Sequence, residues 1–336
     1  MAEVIVQCMH HLVEESVLSW SPELQGAFWP YWKALRAAHE GEKSSSGERE
    51  RGKFWLVLPD WLERRYSGDP PGATVGLSTF LQDVLWGQYA LFAAIRIQDD
   101  LFDGQAQRPA LIFASDQFLL EAEGSFRRAC GDHPAFWSIY RECLQTTAQA
   151  IVETDLLLQG ESTSPDILLD AYAGVSSIFA LGSAAVCLCR DRFDEYASVR
   201  RFCDEMATVS QIYDDLEDVV DDLARGRSNF VARILGIGPS HAGDGGRTAG
   251  VVAERLFGQH KTDLVLAEVR KHIARAEEAL SPFALPAVGP YSAAQGETVD
   301  DLERIFMDRS RSGLAEHVFQ SGGLDSLLRS VMTPVW

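Results

Sequence analysis

Two short stretches of the chain could hold cations. Asp99-Asp100-Leu101-Phe102-Asp103 and Asp214-Asp215-Leu216-Glu217-Asp218 share one spelling, two adjacent aspartates and a third after a two-residue gap. On a helix the first and fifth positions lie about 40° apart around the axis and the second about 100° from the first, so all three carboxylates share one face. Each stretch also follows an apolar helical run that carries a glutamine, Ile95-Arg96-Ile97-Gln98 and Val209-Ser210-Gln211-Ile212-Tyr213. Carboxylates that continue an apolar stripe point into a bundle, where an unpaired one costs roughly several kcal/mol, so cations are implied. Magnesium suits them best, because it takes oxygen ligands, keeps several waters and is commonly shared between one or two carboxylates and a substrate phosphate. Zinc would call for histidine or cysteine, and none of the eight histidines forms a helical pair near either stretch. A calcium loop would need alternating oxygen ligands around a central glycine, which neither stretch has. A third stretch, Asp300-Asp301-Leu302-Glu303-Arg304, lacks the last carboxylate and reads as an ordinary helix start with Thr298 as its cap.

The elements that position these residues are helices. Apolar residues recur at intervals of three and four, as in Phe80, Val84, Leu85, Tyr89 and Phe92, and again in Leu264, Ala267, Val269 and Ile273. No strand-like alternation competes. Polar or glycine- and proline-rich breaks fall at 40–52, 67–74, 160–166, 236–250 and 281–298. None marks a domain boundary, so the expectation is a single all-α domain over 1–336, with 40–52 and 236–250 as mobile loops.

A formal net charge of -19 argues against nucleic acid or an anionic membrane surface as partner, and means that an anionic substrate must bring cations with it. The six cysteines are scattered, and Cys187 with Cys189 lacks the spacing of a zinc clip, so reduced core thiols and a cytoplasmic setting are expected. The start of the chain lacks the basic end of a secretory signal. Ala171–Cys189 carries no charge and is nearly long enough to span a bilayer, but its serines, glycines and alanines predict a buried bundle helix rather than a transmembrane segment.

Over about Trp86–Phe230 the sequence resembles the class I isoprenoid synthases, which include trans-prenyl diphosphate synthases and terpene cyclases. Besides the two aspartate motifs, Gln107-Arg108-Pro109, the run Ala114-Ser115-Asp116-Gln117-Phe118-Leu119-Leu120, and Asp222-Leu223-Ala224-Arg225-Gly226-Arg227-Ser228-Asn229 are similar to flanking segments of that family. The resemblance implies an all-α helical bundle with a central active-site cavity, and a polyprenyl diphosphate substrate. It also implies three Mg2+ ions held by Asp99, Asp100 and Asp103 from one helix and Asp214, Asp215 and Asp218 from a facing one. Arg225, Arg227 and Arg108 would bind the diphosphate. Aromatic faces stabilise a cation by about 1–2 kcal/mol when desolvated, and Trp86, Tyr89, Phe92, Phe102, Phe179 and Tyr213 are the candidates for that lining. Ala94 and Ile95, small residues before the first motif, are expected to leave the pocket floor deep enough for geranylgeranyl or longer chains.

Two features depart from the elongating synthases. The N-terminal Gly-Gly-Lys is missing, and the helix expected to carry Lys-Thr reads Tyr172-Ala173-Gly174-Val175-Ser176-Ser177-Ile178-Phe179, with no lysine between Lys53 and Lys261. On this ground the sequence favours a terpene cyclase, a lyase that ionises one substrate and releases diphosphate. A prenyltransferase adding isopentenyl diphosphate is the alternative, and a catalytically silent partner subunit a further one. The head-to-head condensing enzymes share only a faint likeness at the second motif. No motif fixes oligomeric state, and a homodimer is compatible with all of them.

Overall fold

The computed structural model describes residues 2–40, 54–68, 77–160, 164–239, 245–258 and 261–312. Among them no strand occurs, and the architecture is all-α, as the periodicity predicts. The helices are α1 (Ala2–Leu18), α2 (Pro22–Glu40), α3 (Phe54–Ser67), α4 (Thr79–Phe102), α5 (Leu111–Cys130), α6 (Pro134–Gln159), α7 (Pro165–Val175), α8 (Leu181–Cys189), α9 (Tyr196–Ala224), α10 (Phe230–Leu235), α11 (Gly245–Ala253), α12 (Thr262–Leu280) and α13 (Val288–Ser312). The chain groups into two compact units. The first holds α1 to α5, the start of α6, α8 and the start of α9; the second holds the rest of α6, α7, the rest of α9, and α10 to α13.

In the first unit α4 is the central helix, buried at Leu81, from Val84 through Leu91, and at Ala93, Ala94, Ile97 and Asp100. Ser78 caps it, the hydroxyl oxygen accepting the Leu81 N–H at 3.1 Å. Its partner α5 comes close because Gly87 has no side chain: a Cβ there would meet the Phe126 ring at 3.1 Å. Around this pair the core is aromatic, with Trp20, Phe28 and Phe118 in mutual edge and tilted contact. The apolar run 165–189 is long enough to cross a membrane, yet 78% of its most apolar window is buried in protein. It is interrupted by a tight turn at Ser176–Ala180. Gln88, fully buried, repairs that interruption by donating to the Ile178 carbonyl at 3.0 Å and accepting the Gly182 N–H at 2.7 Å.

In the second unit, Arg233 of α10 acts as a staple, its guanidinium donating to the carbonyls of Leu157 and Gly160 at 2.7 Å each and of Ser228 at 2.9 Å. Gly236 ends α10 in the left-handed region at φ 70°.

The predicted break at 160–166 falls between α6 and α7. The 40–52 loop lies outside the described residues apart from its first residue, which ends α2. The predicted loop 236–250 is corrected in part: 240–244 lie outside the described residues, but Gly245–Ala253 is helical despite its glycines. The break at 281–298 is also shorter than expected. Helix α13 starts at Val288, with Pro290 in its first turn where no N–H partner is needed. Thr298 is therefore an interior residue that donates to the Ala294 carbonyl at 3.1 Å, not a cap. The third acidic stretch is a paired helix face, Asp300 taking Arg270 of α12 at 3.0 Å and Asp301 taking Arg304.

Candidate active site

The first motif closes α4. Asp99 and Asp100 stand in its last turn, and Asp103 caps it, donating its N–H to the Asp99 carbonyl at 2.8 Å. Gly104, at φ 72°, then turns the chain away. Three carboxylates thus sit at the negative end of a helix dipole with no basic residue in that turn, an arrangement that a bound cation relieves. The middle carboxylate is already engaged. Asp100 is 6% exposed, accepts the Tyr31 hydroxyl on Oδ2 at 2.7 Å, and has Arg96 Nε 3.0 Å from Oδ1. Burial, with the Asp100 charge beside it, pushes the Tyr31 phenol well above its usual range, so the proton stays on tyrosine. Asp99 and Asp103 are half-buried.

The second motif lies within α9 and has the same construction. Asp215, 3% exposed, accepts the Tyr172 hydroxyl at 2.7 Å and the Phe230 N–H at 2.8 Å on Oδ2, and the Gln211 amide at 3.1 Å on Oδ1. Burial pushes its carboxyl up to about 8, against the pull of those donors toward the charged form. Asn229 locks the following segment onto the same turn, donating to the Asp215 carbonyl and to Asp222 Oδ2, both at 2.9 Å, while its own Oδ1 caps α10 by accepting the Ala232 N–H. Burial likewise pushes Asp222 up to about 6. Asp214 is half-buried and Asp218 exposed.

In each motif, then, a tyrosine hydroxyl from another helix holds the second aspartate. Asp100 and Asp215 are thus held in place by protein donors. Tyr31, Tyr172 and Asn229 were missed as site residues because nothing in the spelling of the motifs points to partners so distant in sequence. The glutamines did carry a signal: Gln211 binds Asp215, and Gln98 donates to Ser115 of α5 at 2.9 Å.

The arginines are placed differently from one another. Arg227 pairs with Asp155 of α6 at 3.3 Å, Arg225 lies 3.8 Å from Asp222, and Arg108 donates to the Gly26 carbonyl of α2 at 3.0 Å. Where Lys-Thr would stand, Ser176 and Ser177 are buried, and Arg200 donates to Ser177 Oγ at 2.8 Å, a cation the sequence reading passed over.

Of the aromatic candidates, the structure brings together Tyr89, Phe92 and Phe179 around Trp55 of α3, whose ring centroid lies 6.1, 4.9 and 5.4 Å from theirs. Trp86 stacks on Tyr89 at 6.5 Å. Phe102 is instead 51% exposed, on the opposite side of the last turn of α4 from the buried Asp100. Tyr213 is buried in the second unit.

Ile95 is half-buried, and more deeply placed is its neighbour Ala94. It shares a helix face with Gly87 and Gln98, both of which meet α5, and is itself fully buried. Ala94→Phe is therefore expected to overpack the contact between α4 and α5 and cost about 1–3 kcal/mol. A urea midpoint equal to the parent's, or a shift in product length without loss of stability, would show that the space beside Ala94 is open.

Among the described residues no three histidine, cysteine or acidic side chains converge into a ready-made metal cage. The donor chemistry nonetheless fits a hard divalent ion that keeps its waters and shares its ligands with phosphate: only carboxylate oxygens, with the first and last of each motif within reach of solvent.

No protein-family model and no curated protein matches the chain. Solved structures do. A polyprenyl synthase from Caulobacter crescentus CB15, complexed with calcium and isoprenyl diphosphate, superposes with a TM-score of 0.63 at 13% identity, over 87% of this chain and 95% of that one. A decaprenyl diphosphate synthase from Rhodobacter capsulatus gives 0.60 at 16% identity, over 91% and 96%. A geranylgeranyl pyrophosphate synthetase from the archaeon Geoglobus acetivorans gives 0.59 at 15%, over 91% and 98%. The chain has the all-α fold of these synthases, that of the class I isoprenoid synthases, as the resemblance implied.

Proposed function

We propose that the chain is a divalent-metal-dependent enzyme that ionises an allylic prenyl diphosphate and transfers the allylic group to an acceptor such as isopentenyl diphosphate. The observation that carries the ionisation step is the shared construction of the two motifs, in which the second aspartate is fixed by protein donors and the first and last remain within reach of solvent. Asp99, Asp100, Asp103, Asp214, Asp215 and Asp218 are the proposed metal ligands, with Asp100 and Asp215 also anchored by protein donors. Bound there, magnesium would take up the negative charge of the diphosphate leaving group. Arg225, more than half exposed and only distantly paired, is the arginine best placed to donate to the diphosphate. The cluster of Trp55, Tyr89, Phe92 and Phe179 offers aromatic faces to a carbocation.

Transfer is preferred to cyclisation because the fold likenesses are to polyprenyl, decaprenyl and geranylgeranyl synthases. This reverses the order in which the sequence alone ranked the two readings. The second reading keeps one observation in its favour, the lack of any lysine between Lys53 and Lys261 to receive a second diphosphate. Incubation with magnesium and geranyl, farnesyl or geranylgeranyl diphosphate, each with and without isopentenyl diphosphate, separates them. Elongated diphosphates formed only with isopentenyl diphosphate are the expected result. A hydrocarbon or terpene alcohol from the allylic diphosphate alone would install the cyclase reading, and no release of diphosphate from any of them would remove both.

A further inference from the structure

Two thiols that are far apart in sequence meet in the first unit. Helix α5 ends at Cys130 and helix α8 at Cys189, and the Cys189 sulfur lies 3.6 Å from the Cys130 sulfur and 3.7 Å from the Ala129 carbonyl oxygen. Both residues are half-buried, whereas Cys143, Cys187 and Cys203 are buried at no more than 1% exposure. Cys8 is exposed, on α1. The pair is therefore both reachable by a small oxidant and prearranged, a combination that no other pair of the six cysteines shows among the described residues.

We propose that Cys130 and Cys189 form a redox-active dithiol that hydrogen peroxide closes to a disulfide, tying the end of α5 to the end of α8. Cys189 is the attacking sulfur. Its thiol is held below the usual range by the hydrogen bond shared with Cys130 and by the neighbouring Arg190 charge, while Cys130 is pushed far up by the same contact and by burial. The Cys189 thiolate attacks one peroxide oxygen, the O–O bond breaks, and hydroxide leaves, giving a sulfenic acid at Cys189. The Cys130 sulfur then attacks the Cys189 sulfur as its proton passes to the departing oxygen, forming the S–S bond and releasing water. Two thiols and one peroxide become one disulfide and two waters. A disulfide bond is about 2 Å long, so closing it requires the two sulfurs to approach from their present separation of 3.6 Å.

The test uses the full chain, reduced, desalted, treated with hydrogen peroxide, alkylated under denaturing conditions and digested with trypsin. Cys130 is the only cysteine in the peptide 129–141, but 142–190 holds Cys143, Cys187 and Cys189. A cross-link between the two peptides is expected in the parent and in Cys187→Ser and Cys143→Ser, and is lost in Cys130→Ser and Cys189→Ser. Dithiothreitol should return all six thiols to alkylation. In Cys130→Ser the attacking sulfur loses its partner, so a trapped sulfenic acid at Cys189, captured with dimedone, is the expected companion result. Full alkylation of 129–141 after a dose of peroxide that oxidises Cys8, or a cross-link that survives in Cys189→Ser, overturns the assignment. None of these readouts uses prenyl diphosphate turnover, so the outcome is independent of the proposed function.

Discussion

With Asp214 replaced by alanine, turnover of an allylic diphosphate should fall by at least about 10²-fold, the scale on which a single electrostatic stabiliser of a developing anion is felt. The helical circular dichroism signal should survive. Asp214 is half-buried and begins a carboxylate pair that spans one helical turn to Asp218, so its removal takes away a proposed ligand without opening a core. Asp103→Ala should behave alike, since the backbone N–H that caps α4 is retained in the variant. Chelation of divalent metal should reproduce the loss in the parent. Rates in excess chelator equal to those in magnesium would sink the metal-dependent reading at once.

One residue further on, the expected phenotype changes. Asp215→Ala should destabilise the fold by about 2–5 kcal/mol, because it strands three donors that now share one buried acceptor: the Tyr172 hydroxyl, the Phe230 N–H and the Gln211 amide. The loss concerns the contact of α7 with α9 and the segment that leads into α10, so the whole second unit should register it. Tyr172→Phe removes one donor and keeps the ring, and should cost about 1–2 kcal/mol. Urea unfolding monitored by circular dichroism checks both, the shift appearing in the midpoint rather than in the slope. An Asp215→Ala midpoint equal to that of the parent would show that the carboxylate is not an anchor. The contrast between neighbours matters more than either value: activity without loss of fold at Asp214, fold first at Asp215.

Much of this molecule is legible in its residue order. The spacing of apolar residues announces α4, α9 and α12, and the break between α6 and α7 shows in Gly160 through Pro165. The two aspartate motifs stand out because a helix must either solvate or neutralise three carboxylates on one face. Where the local signal misled, a stronger tertiary term won. Gly245 and Gly250 read as a loop yet lie in α11, and Thr298 reads as a cap yet lies inside α13. Helix propensity is worth at most about 1 kcal/mol per residue, less than burial of an apolar helix face supplies.

What the sequence by itself determined is therefore the class of fold and the two places where its acids gather. Which aspartate of each motif faces the protein was decided by the tertiary structure. The identical spelling of the two motifs treats Asp99 and Asp100, or Asp214 and Asp215, as equivalent, and only the arrival of Tyr31 and Tyr172 from other helices separates them. The same holds for Ala94, whose side faces α5 because Gly87 and Gln98 do, and for the meeting of Cys130 with Cys189. A hydrogen bond or a sulfur contact depends on position to within a few tenths of an ångström. That precision comes from packing between elements distant along the chain, and no local pattern of residues encodes it.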